Sequence, residues 1–350
     1  MKGTTATERA PRAPRIAPRA PPAAICLALC AWLAGCGTSA RNKPADTGGE
    51  LVPVTLQLNW FAEVEHGGYF AAQVHGYYRD AGLDVTILSG GPETPVIQQV
   101  ARGAVTFGIV NADNVLFGRA QEAPIVALFA PLQTSPRCLI VHEHSGIRDF
   151  DDLKDITIAM SASSAFTHYL RHRLPLENVR IVPYSGNVAQ FLVNDDFAQQ
   201  GYVFSEPFVA RKQGGDPRVL MVSDLGFNPY SSMLFTSERV LADDPQLVRR
   251  MVAASARGWK KYLESPEESN RQIHEVNPEM DLDVLAFGAE AIRPLVLGED
   301  AAETRIGEMT LARWQALAEQ LIETGQLKAD DVHVERAFTS EYLPRDAAGD

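Results

Sequence analysis

Cysteine is nearly absent from this chain of 350 residues, which contains only four. Cys26, Cys30 and Cys36 fall within the first 36 residues, so only Cys138 remains beyond them. One thiol cannot form an intrachain disulfide or a cysteine-rich metal site, and both are excluded from the rest of the chain. Cys138 opens the apolar run at residues 138–141, which predicts a buried strand position.

Basic charge and long apolar runs are also scarce. The chain has 32 Lys and Arg against 44 Asp and Glu. Residues 1–35 hold five of the basic residues and one of the acidic ones, so the remainder carries 27 against 43, a net charge near −16. A surface this acidic repels phosphates, which argues against nucleic acid as a partner. Beyond residue 50, no uncharged apolar stretch approaches the roughly 20 residues of a transmembrane helix.

The first 51 residues show the pattern of an exported protein. Basic residues precede an uncharged segment at 23–34, which is too short to span a bilayer. The run Leu33-Ala34-Gly35-Cys36 follows and resembles the lipobox of bacterial lipoproteins. We predict a signal peptide at residues 1–35, lipidation of Cys36 and a flexible tether at 36–51. The protein would then be anchored to the cell membrane or to the periplasmic face of a membrane; a signal peptide cut elsewhere is the alternative.

From residue 52 onward, strand and helix patterns alternate. Apolar runs predict strands at 52–58, 83–88, 105–110, 156–159, 179–183 and 201–204, with helices between them. This alternation indicates an α/β fold, and about 300 residues exceed one core, so two lobes are expected. We predict a first lobe at 52–141, a second lobe at 142–228, and a return to the first lobe with C-terminal helices at 229–345.

Polar and aromatic side chains collect where the predicted strands end, the position at which open α/β sheets bind ligands. Trp60 can stack on a flat ring, and Asn59 offers a donor and an acceptor. Glu206 follows an apolar strand, where a carboxylate suits a ligand with amino groups or a protonated ring nitrogen and repels sulfonate or nitrate. Core packing or helix capping could also explain each candidate, and Asp113 is the expected cap of its helix. The full set of candidate ligand-binding residues is Asn59, Trp60, His66, Tyr69, Gly91, Asn111, Asn114, Tyr184, Glu206 and Tyr230.

Catalytic motifs are missing. The chain has no Gly-x-Ser-x-Gly elbow, no phosphate-binding Gly-x-x-x-x-Gly-Lys loop and no His-Glu-x-x-His helix. His142 and His144 alternate at a strand end near Glu143 and could ligate a metal, but exposed loop histidines are common. We predict no catalytic residue, no metal and no cofactor, and therefore a binding protein rather than an enzyme.

Six short segments together resemble one large bacterial group, the solute-binding proteins of ABC transporters for thiamine precursors, alkanesulfonates and nitrate. The resemblance covers roughly residues 52–325. Within the group, Asn59-Trp60 and the Ser205-Glu206-Pro207 turn are similar to the branch that binds thiamine pyrimidine precursors. The segments are Asn59-Trp60, His66-Gly-Gly-Tyr-Phe-Ala-Ala, Gly76-Tyr-Tyr, Ala81-Gly-Leu-Asp-Val, Gly90-Gly-Pro and Val203-Phe-Ser-Glu-Pro-Phe-Val.

The resemblance implies a type II periplasmic-binding-protein fold, in which two α/β lobes enclose a ligand cleft. It further implies a monomer that captures a small planar heterocycle and delivers it to an ABC permease and its ATPase subunit. Trp60 would stack on the solute and Glu206 would pair with its nitrogen atoms. Hydrogen bonds from Asn59, Asn114 and Tyr184 would complete the site.

Several alternatives stay open at this point. Within the same class, the solute could be an alkanesulfonate, nitrate or a riboflavin-like compound, and the protein could be a surface sensor that feeds no transporter. From a different class, a fungal branch of the family makes the thiamine pyrimidine and consumes a histidine that matches His66. That branch also has a cysteine-rich run, which this chain lacks.

Overall fold

The computed structural model describes residues 50–298 and 306–344. The predicted signal peptide, the lipidation site Cys36 and the predicted tether up to residue 49 lie outside the described residues. Within the described ranges, no helix combines the length and the apolar character needed to cross a membrane.

Two five-stranded sheets form the framework and share one strand plan. The first sheet has the order β2-β1-β3-β10-β4, in which β1 is parallel to β2 and β3, and β10 is antiparallel to both its neighbours. Its strands are β1 (Val52–Gln57), β2 (Leu83–Leu88), β3 (Phe107–Val110), β4 (Ile125–Phe129) and β10 (Met233–Ser237).

The second sheet repeats this plan in the order β7-β6-β8-β5-β9, with β6 parallel to β7 and β8, and β5 antiparallel to β8 and β9. The predicted α/β fold with two lobes and a cleft between them is therefore confirmed. The strands of the second sheet are β5 (Arg137–His142), β6 (Thr157–Ala159), β7 (Arg180–Val182), β8 (Phe197–Tyr202) and β9 (Pro217–Met221).

Twelve α-helices are described around and after the sheets. The helical segment predicted between the first two strands is broken in two, because Gly76 takes a left-handed backbone conformation (φ 75°) between its parts. The helices are α1 (Gly67–Val74), α2 (Tyr77–Asp80), α3 (Val96–Ala101), α4 (Ala112–Ala120), α5 (Ala165–Arg173), α6 (Ala189–Val193), α7 (Glu206–Lys212), α8 (Glu238–Asp243), α9 (Pro245–Glu264), α10 (Glu267–Val276), α11 (Leu282–Leu297) and α12 (Leu311–Glu323).

The chain passes between the sheets twice. It leaves the first sheet after β4 and returns to it in β10, and the two connecting segments pair at an isolated bridge between Leu132 and Ser231. Because β5 pairs with β8 and β9, residues 137–141 lie in the second sheet rather than in the first lobe, where the sequence analysis placed them. Cys138 is fully buried in β5, which confirms its predicted strand position.

Helix α1 packs tightly against α9. A Cβ atom on Gly67 would lie 2.2 Å from the ring of Tyr262, and one on Gly68 would lie 2.2 Å from Trp259. Both rings are buried, so the glycine pair is needed for the close contact of two helices. This packing fixes the N-terminal end of α1, which follows the loop that carries Asn59 and Trp60.

Candidate ligand-binding site

A cavity of about 540 Å³ is lined by residues of both sheets and of the loops that follow their strands. Its volume lies within the range of sites that hold small organic molecules. Residues after β1, β2 and β3 contribute one side, and residues from β5, β8 and the start of α7 contribute the other. Seven of the ten candidates from the sequence line it: Asn59, Trp60, Gly91, Asn111, Asn114, Tyr184 and Glu206.

His66, Tyr69 and Tyr230 are not among the residues that line the cavity. His66 and Tyr69 are fully buried behind it, and Tyr69 packs edge-on against Trp259 while its hydroxyl donates to the Ser232 carbonyl at 2.8 Å. Tyr230 lies under the guanidinium of Arg313, 3.9 Å from the ring centre. The structure therefore gives these three residues packing and supporting contacts.

Glu206 is held at the first position of α7 by groups of its own lobe. Its Oε2 accepts a hydrogen bond from the Tyr202 backbone N–H at 2.7 Å, and its Oε1 accepts one from the Tyr184 hydroxyl at 2.7 Å. A Cβ atom on Gly201 would lie 2.9 Å from the Glu206 Cβ, so glycine there makes room for the carboxylate. A carboxylate has about four lone-pair sites, which leaves capacity for a ligand donor.

Asn59 is oriented by a relay of hydrogen bonds behind the cavity wall. The Glu63 N–H donates to Nδ1 of His66 at 3.3 Å, which assigns the imidazole proton to Nε2. That Nε2–H donates to the Asn59 carbonyl oxygen at 2.9 Å, and the Asn59 amide donates to Glu65 at 3.3 Å. Burial lowers the pKa of His66 to about 3, which keeps the imidazole neutral. The neutral ring accepts at Nδ1 and donates at Nε2, so the direction of these hydrogen bonds is fixed.

Asn111 occupies the N-cap position of α4, but its side chain makes no capping bond. Its oxygen accepts a hydrogen bond from the Ser232 N–H at 3.0 Å, and its amide donates to the Tyr202 hydroxyl at 3.4 Å. The prediction that Asp113 caps this helix is wrong, because Asp113 lies inside α4 and accepts from the Asn114 amide at 3.1 Å. The side chain of Asn111 therefore does not cap the helix but connects the end of β3, by a hydrogen bond, to Tyr202 at the end of β8.

The lining residues that were not predicted include five that bear on the charge and hydrogen bonding of the cavity. Arg137 opens β5, where its guanidinium lies 4.2 Å from the ring centre of Tyr202 and donates to that hydroxyl at 3.1 Å. The available signal was a charged residue directly beside an apolar run, which holds for Arg137 and for Glu63. The five are Glu63, Glu65, Arg137, Gln200 and Tyr202.

Three acidic side chains, those of Glu63, Glu65 and Glu206, line the cavity together with the guanidinium of Arg137. Burial raises the pKa of Glu63 well above its usual value, and the neighbouring Glu65 and Glu206 raise it further. Burial also raises the pKa of Glu65, against the opposing effect of the hydrogen bond from Ser232. A ligand that brings N–H donors or a positive charge would compensate these buried acidic groups and favour their ionised form.

Comparison with known proteins gives a family match and several relatives. Residues 63–269 match the family model described as NMT1/THI5 like. The riboflavin-binding protein RibY of Chloroflexus aurantiacus is 26% identical over 315 residues, which cover 84% of this chain and 87% of that protein. The formylaminopyrimidine-binding protein of Halalkalibacterium halodurans is 23% identical over 249 residues, covering 68% and 73%.

An enzyme and a solved structure complete the comparison. The 4-amino-5-hydroxymethyl-2-methylpyrimidine phosphate synthase of Legionella pneumophila is 23% identical over 235 residues, which cover 65% of this chain and 74% of that protein. The periplasmic aliphatic sulphonate binding protein SsuA of Escherichia coli superposes with a TM-score of 0.64 at 15% identity, covering 85% of this chain and 94% of that one. At this identity the structural likeness concerns the fold alone.

Proposed function

The chain belongs to the NMT1/THI5-like family, and on that premise we propose that it is the solute-binding subunit of an ABC importer. Its proposed solute is a small planar heterocycle that bears amino groups or ring N–H groups, such as a pyrimidine precursor of thiamine. The observation that carries this proposal is the combination of an indole, Trp60, with three acidic side chains on the wall of one cavity.

Binding follows from the geometry of the wall. Trp60 offers a flat apolar face for a heterocyclic ring, and such stacking contributes about 0.5–1.5 kcal/mol beyond the area that it buries. Glu206 accepts from the amino group or ring N–H of the solute, with Tyr184 and the Tyr202 N–H fixing its position. Asn59 adds a contact that is oriented in advance by His66, so little side-chain entropy is lost on binding.

An anionic solute fits this cavity less well. Arg137 is the cationic group on the wall, yet its guanidinium lies between the rings of Phe166, at 5.0 Å, and Tyr202, at 4.2 Å. A sulfonate or nitrate would enter beside Glu206, whose two oxygens both accept hydrogen bonds, and would add negative charge where burial already opposes the ionisation of Glu63 and Glu65. The charge balance therefore favours amino heterocycles over the anions.

A riboflavin-like solute is the second candidate. The support for it is the 26% identity to RibY over 84% of this chain. A flavin ring is planar and carries a ring N–H, so the contacts proposed for Trp60 and Glu206 serve it as well. The two solutes are therefore compared directly in the experiment below.

Catalysis through His66 is the alternative from another class. A histidine consumed in a reaction must reach the reacting atoms, whereas His66 is fully buried and its Nε2–H is committed to Asn59. This arrangement supports a positioning role. His66→Asn would weaken solute binding under our proposal, while pyrimidine formation by the purified wild-type protein would contradict it.

Calorimetric titration of the purified protein, stripped of bound solute by unfolding and refolding, tests the proposal. The panel contains an aminopyrimidine precursor of thiamine, thiamine, riboflavin, taurine, an alkanesulfonate and nitrate. We expect the aminopyrimidine to bind tightly, and Glu206→Gln to weaken it about 10- to 100-fold because a charge-assisted hydrogen bond is lost. Trp60→Ala should weaken it as well.

The control is Glu267→Gln, which removes an exposed carboxylate from the first position of α10, as Glu206 stands at the first position of α7. Its affinity should equal that of the wild type. Binding of sulfonate or nitrate alone would contradict the proposal and place the protein among anion binders. Binding of riboflavin alone would select the second candidate.

The proposed partners follow from the role. The solute passes to a permease with its ATPase subunit, and the binding protein acts as a monomer held at a membrane surface by a lipid on Cys36. Acyl chains hold a protein at a bilayer without a spanning helix. Export, anchoring and partners are parts of the proposal.

A further inference from the structure

Three potential metal ligands meet in the second lobe, and none of them lines the cavity described above. His142 ends β5, His144 lies in the turn that follows, and Asp216 directly precedes β9. The antiparallel pairing of β5 with β9 places His142 opposite Pro217, and the Glu143 N–H donates to the Asp216 carbonyl at 2.8 Å. Backbone pairing thus holds the three side chains together.

Both imidazoles direct the same nitrogen at one carboxylate. Nδ1 of His142 lies 2.7 Å from one oxygen of Asp216, and Nδ1 of His144 lies 2.6 Å from the other. One ligand atom from each residue falls within a group whose members are all within 4.8 Å of one another. Two imidazole nitrogens and a carboxylate oxygen are ligands that zinc prefers.

The opposite nitrogens face acceptors of their own. Nε2 of His142 lies 3.1 Å from the Asn194 carbonyl, and Nε2 of His144 lies 3.5 Å from the carboxylate of Asp195. Because a carbonyl only accepts, Nε2 of His142 carries a proton, and in a neutral imidazole Nδ1 then presents a lone pair to Asp216. Two lone pairs in contact require a cation between them, either a proton or a metal ion.

From this geometry we propose that His142, His144 and Asp216 bind a divalent transition-metal ion, with zinc as the best fit. Histidines that ligate metals usually donate their other ring N–H to a carbonyl or carboxylate, as His142 does here to Asn194. Zinc–nitrogen distances of about 2.0–2.1 Å would widen each nitrogen–oxygen separation to about 3.3 Å. Rotation of Asp216, whose side chain is 42% exposed, can provide this. Water would complete a tetrahedral shell.

The surroundings combine a rigid ligand with an open entrance. His142 is 5% exposed and stacks on Phe191 at 4.0 Å between ring centres, whereas the side chain of His144 is 54% exposed. The ion would join the end of β5 to the start of β9, and through Asn194 it would also brace the loop between α6 and β8. The ion would therefore stabilise the second lobe through residues that do not line the solute cavity.

Titration of the chelator-treated protein with zinc chloride at neutral pH, by calorimetry and by thermal unfolding, tests the site. We expect one zinc ion per chain and a higher unfolding temperature in its presence. His144→Ala and Asp216→Asn change exposed side chains, so both variants should fold, and each should lower zinc affinity at least 10-fold. The absence of saturable binding by the wild type would overturn the proposal and leave a proton-bridged cluster.

His172→Ala is the matched control, because His172 is also an exposed histidine beside a carboxylate, with its Nε2 3.1 Å from Glu323. It should retain the wild-type zinc affinity, and an equal loss in this control would overturn the assignment. Solute titration of His144→Ala should match that of the wild type. The metal site and the proposed solute site can therefore fail independently.

Discussion

At the scale of single residues, protonation decides what the cavity wall offers to a solute. Glu63 and Glu65 are buried and resist ionisation, whereas His66 is buried and resists protonation. The neutral His66 donates to Asn59, which leaves the Asn59 amide to donate to Glu65. A positive charge on His66 would add a second donor at Nδ1, which now accepts from the Glu63 N–H. The hydrogen bonds that orient Asn59 therefore depend on the burial of His66, which keeps its imidazole neutral.

A pH-dependent stability follows from the lowered pKa of His66. The unfolded chain binds a proton near pH 6.5, whereas the folded protein binds it only near pH 3. The stabilisation is thus complete above pH 6.5 and is lost as the pH falls toward 3, at up to about 1.4 kcal/mol per pH unit. His66→Gln, which keeps a donor and an acceptor, should give a shallower decline of the free energy of unfolding between pH 6 and pH 4. Urea titrations at several pH values measure it.

The difference between variant and wild type isolates this residue. The raised pKa values of Glu63 and Glu65 act in the opposite direction, because their contribution is present below pH 4.5 and is lost as the pH rises. Both carboxylates remain in the variant. His172→Gln, at an exposed position of α5, controls for the substitution itself. Parallel pH curves for wild type and His66→Gln would contradict the prediction.

At the scale of elements, the contact between α1 and α9 sets the position of the first binding loop. Asn59 and Trp60 lie between β1 and the short turn that leads into α1, so a shift of α1 would move them. The contact depends on two glycines whose missing side chains admit Trp259 and Tyr262. Elsewhere Gly→Ala in a helix stabilises by about 0.5–1 kcal/mol.

Gly68→Ala should have the opposite effect here. The new methyl group would lie 2.2 Å from the fully buried ring of Trp259, and such overpacking costs about 1–3 kcal/mol. Gly118→Ala in α4 is the control, since its nearest contacts are the side-chain ends of Ile97 and Ile125 at 3.1 Å. Urea unfolding should show a much smaller loss for the control. Equal stability of the two variants would refute the packing argument.

At the scale of the whole molecule, two sheets with one strand plan meet at a pair of connecting segments. Ser232 lies in the second segment and holds a left-handed backbone (φ 53°), an uncommon conformation for serine. Its N–H donates to Asn111 at 3.0 Å and its hydroxyl donates to Glu65 at 2.5 Å. Ser232 is thus hydrogen-bonded to two residues of the cavity wall. A change in the backbone of this connecting segment would therefore move residues of the site.

Anchoring also belongs to this scale, and its test is Cys36→Ser. If Cys36 carries the lipid, the variant should leave the membrane fraction, because the described part of the chain has no spanning helix. Radiolabelled fatty acid should label the wild type and not the variant, while the solute affinity of both should be equal. Cys138→Ser, at the buried thiol, controls for the loss of a cysteine. Membrane retention of the Cys36 variant would contradict the prediction.

The sequence by itself determined the α/β class, the two lobes and seven residues of the cavity wall. It could do so because apolar periodicity reports burial, and because parallel strands deliver the residues after them to one edge of a sheet. The short motif around Glu206 was informative for the same reason, since its strand and turn are contiguous in the chain.

Tertiary structure decided what depends on residues far apart in sequence. Tyr69 and Tyr230 are of a residue type that often lines pockets. The contact of Tyr69 with Trp259 in α9 and that of Tyr230 with Arg313 instead hold both side chains in the protein interior. Arg137 reaches the cavity because β5 joins the second sheet, and Asp216 meets His144 across 72 positions because β9 pairs with β5. Local patterns carry no information on such pairings, which are set by sheet order and by the packing of the completed core.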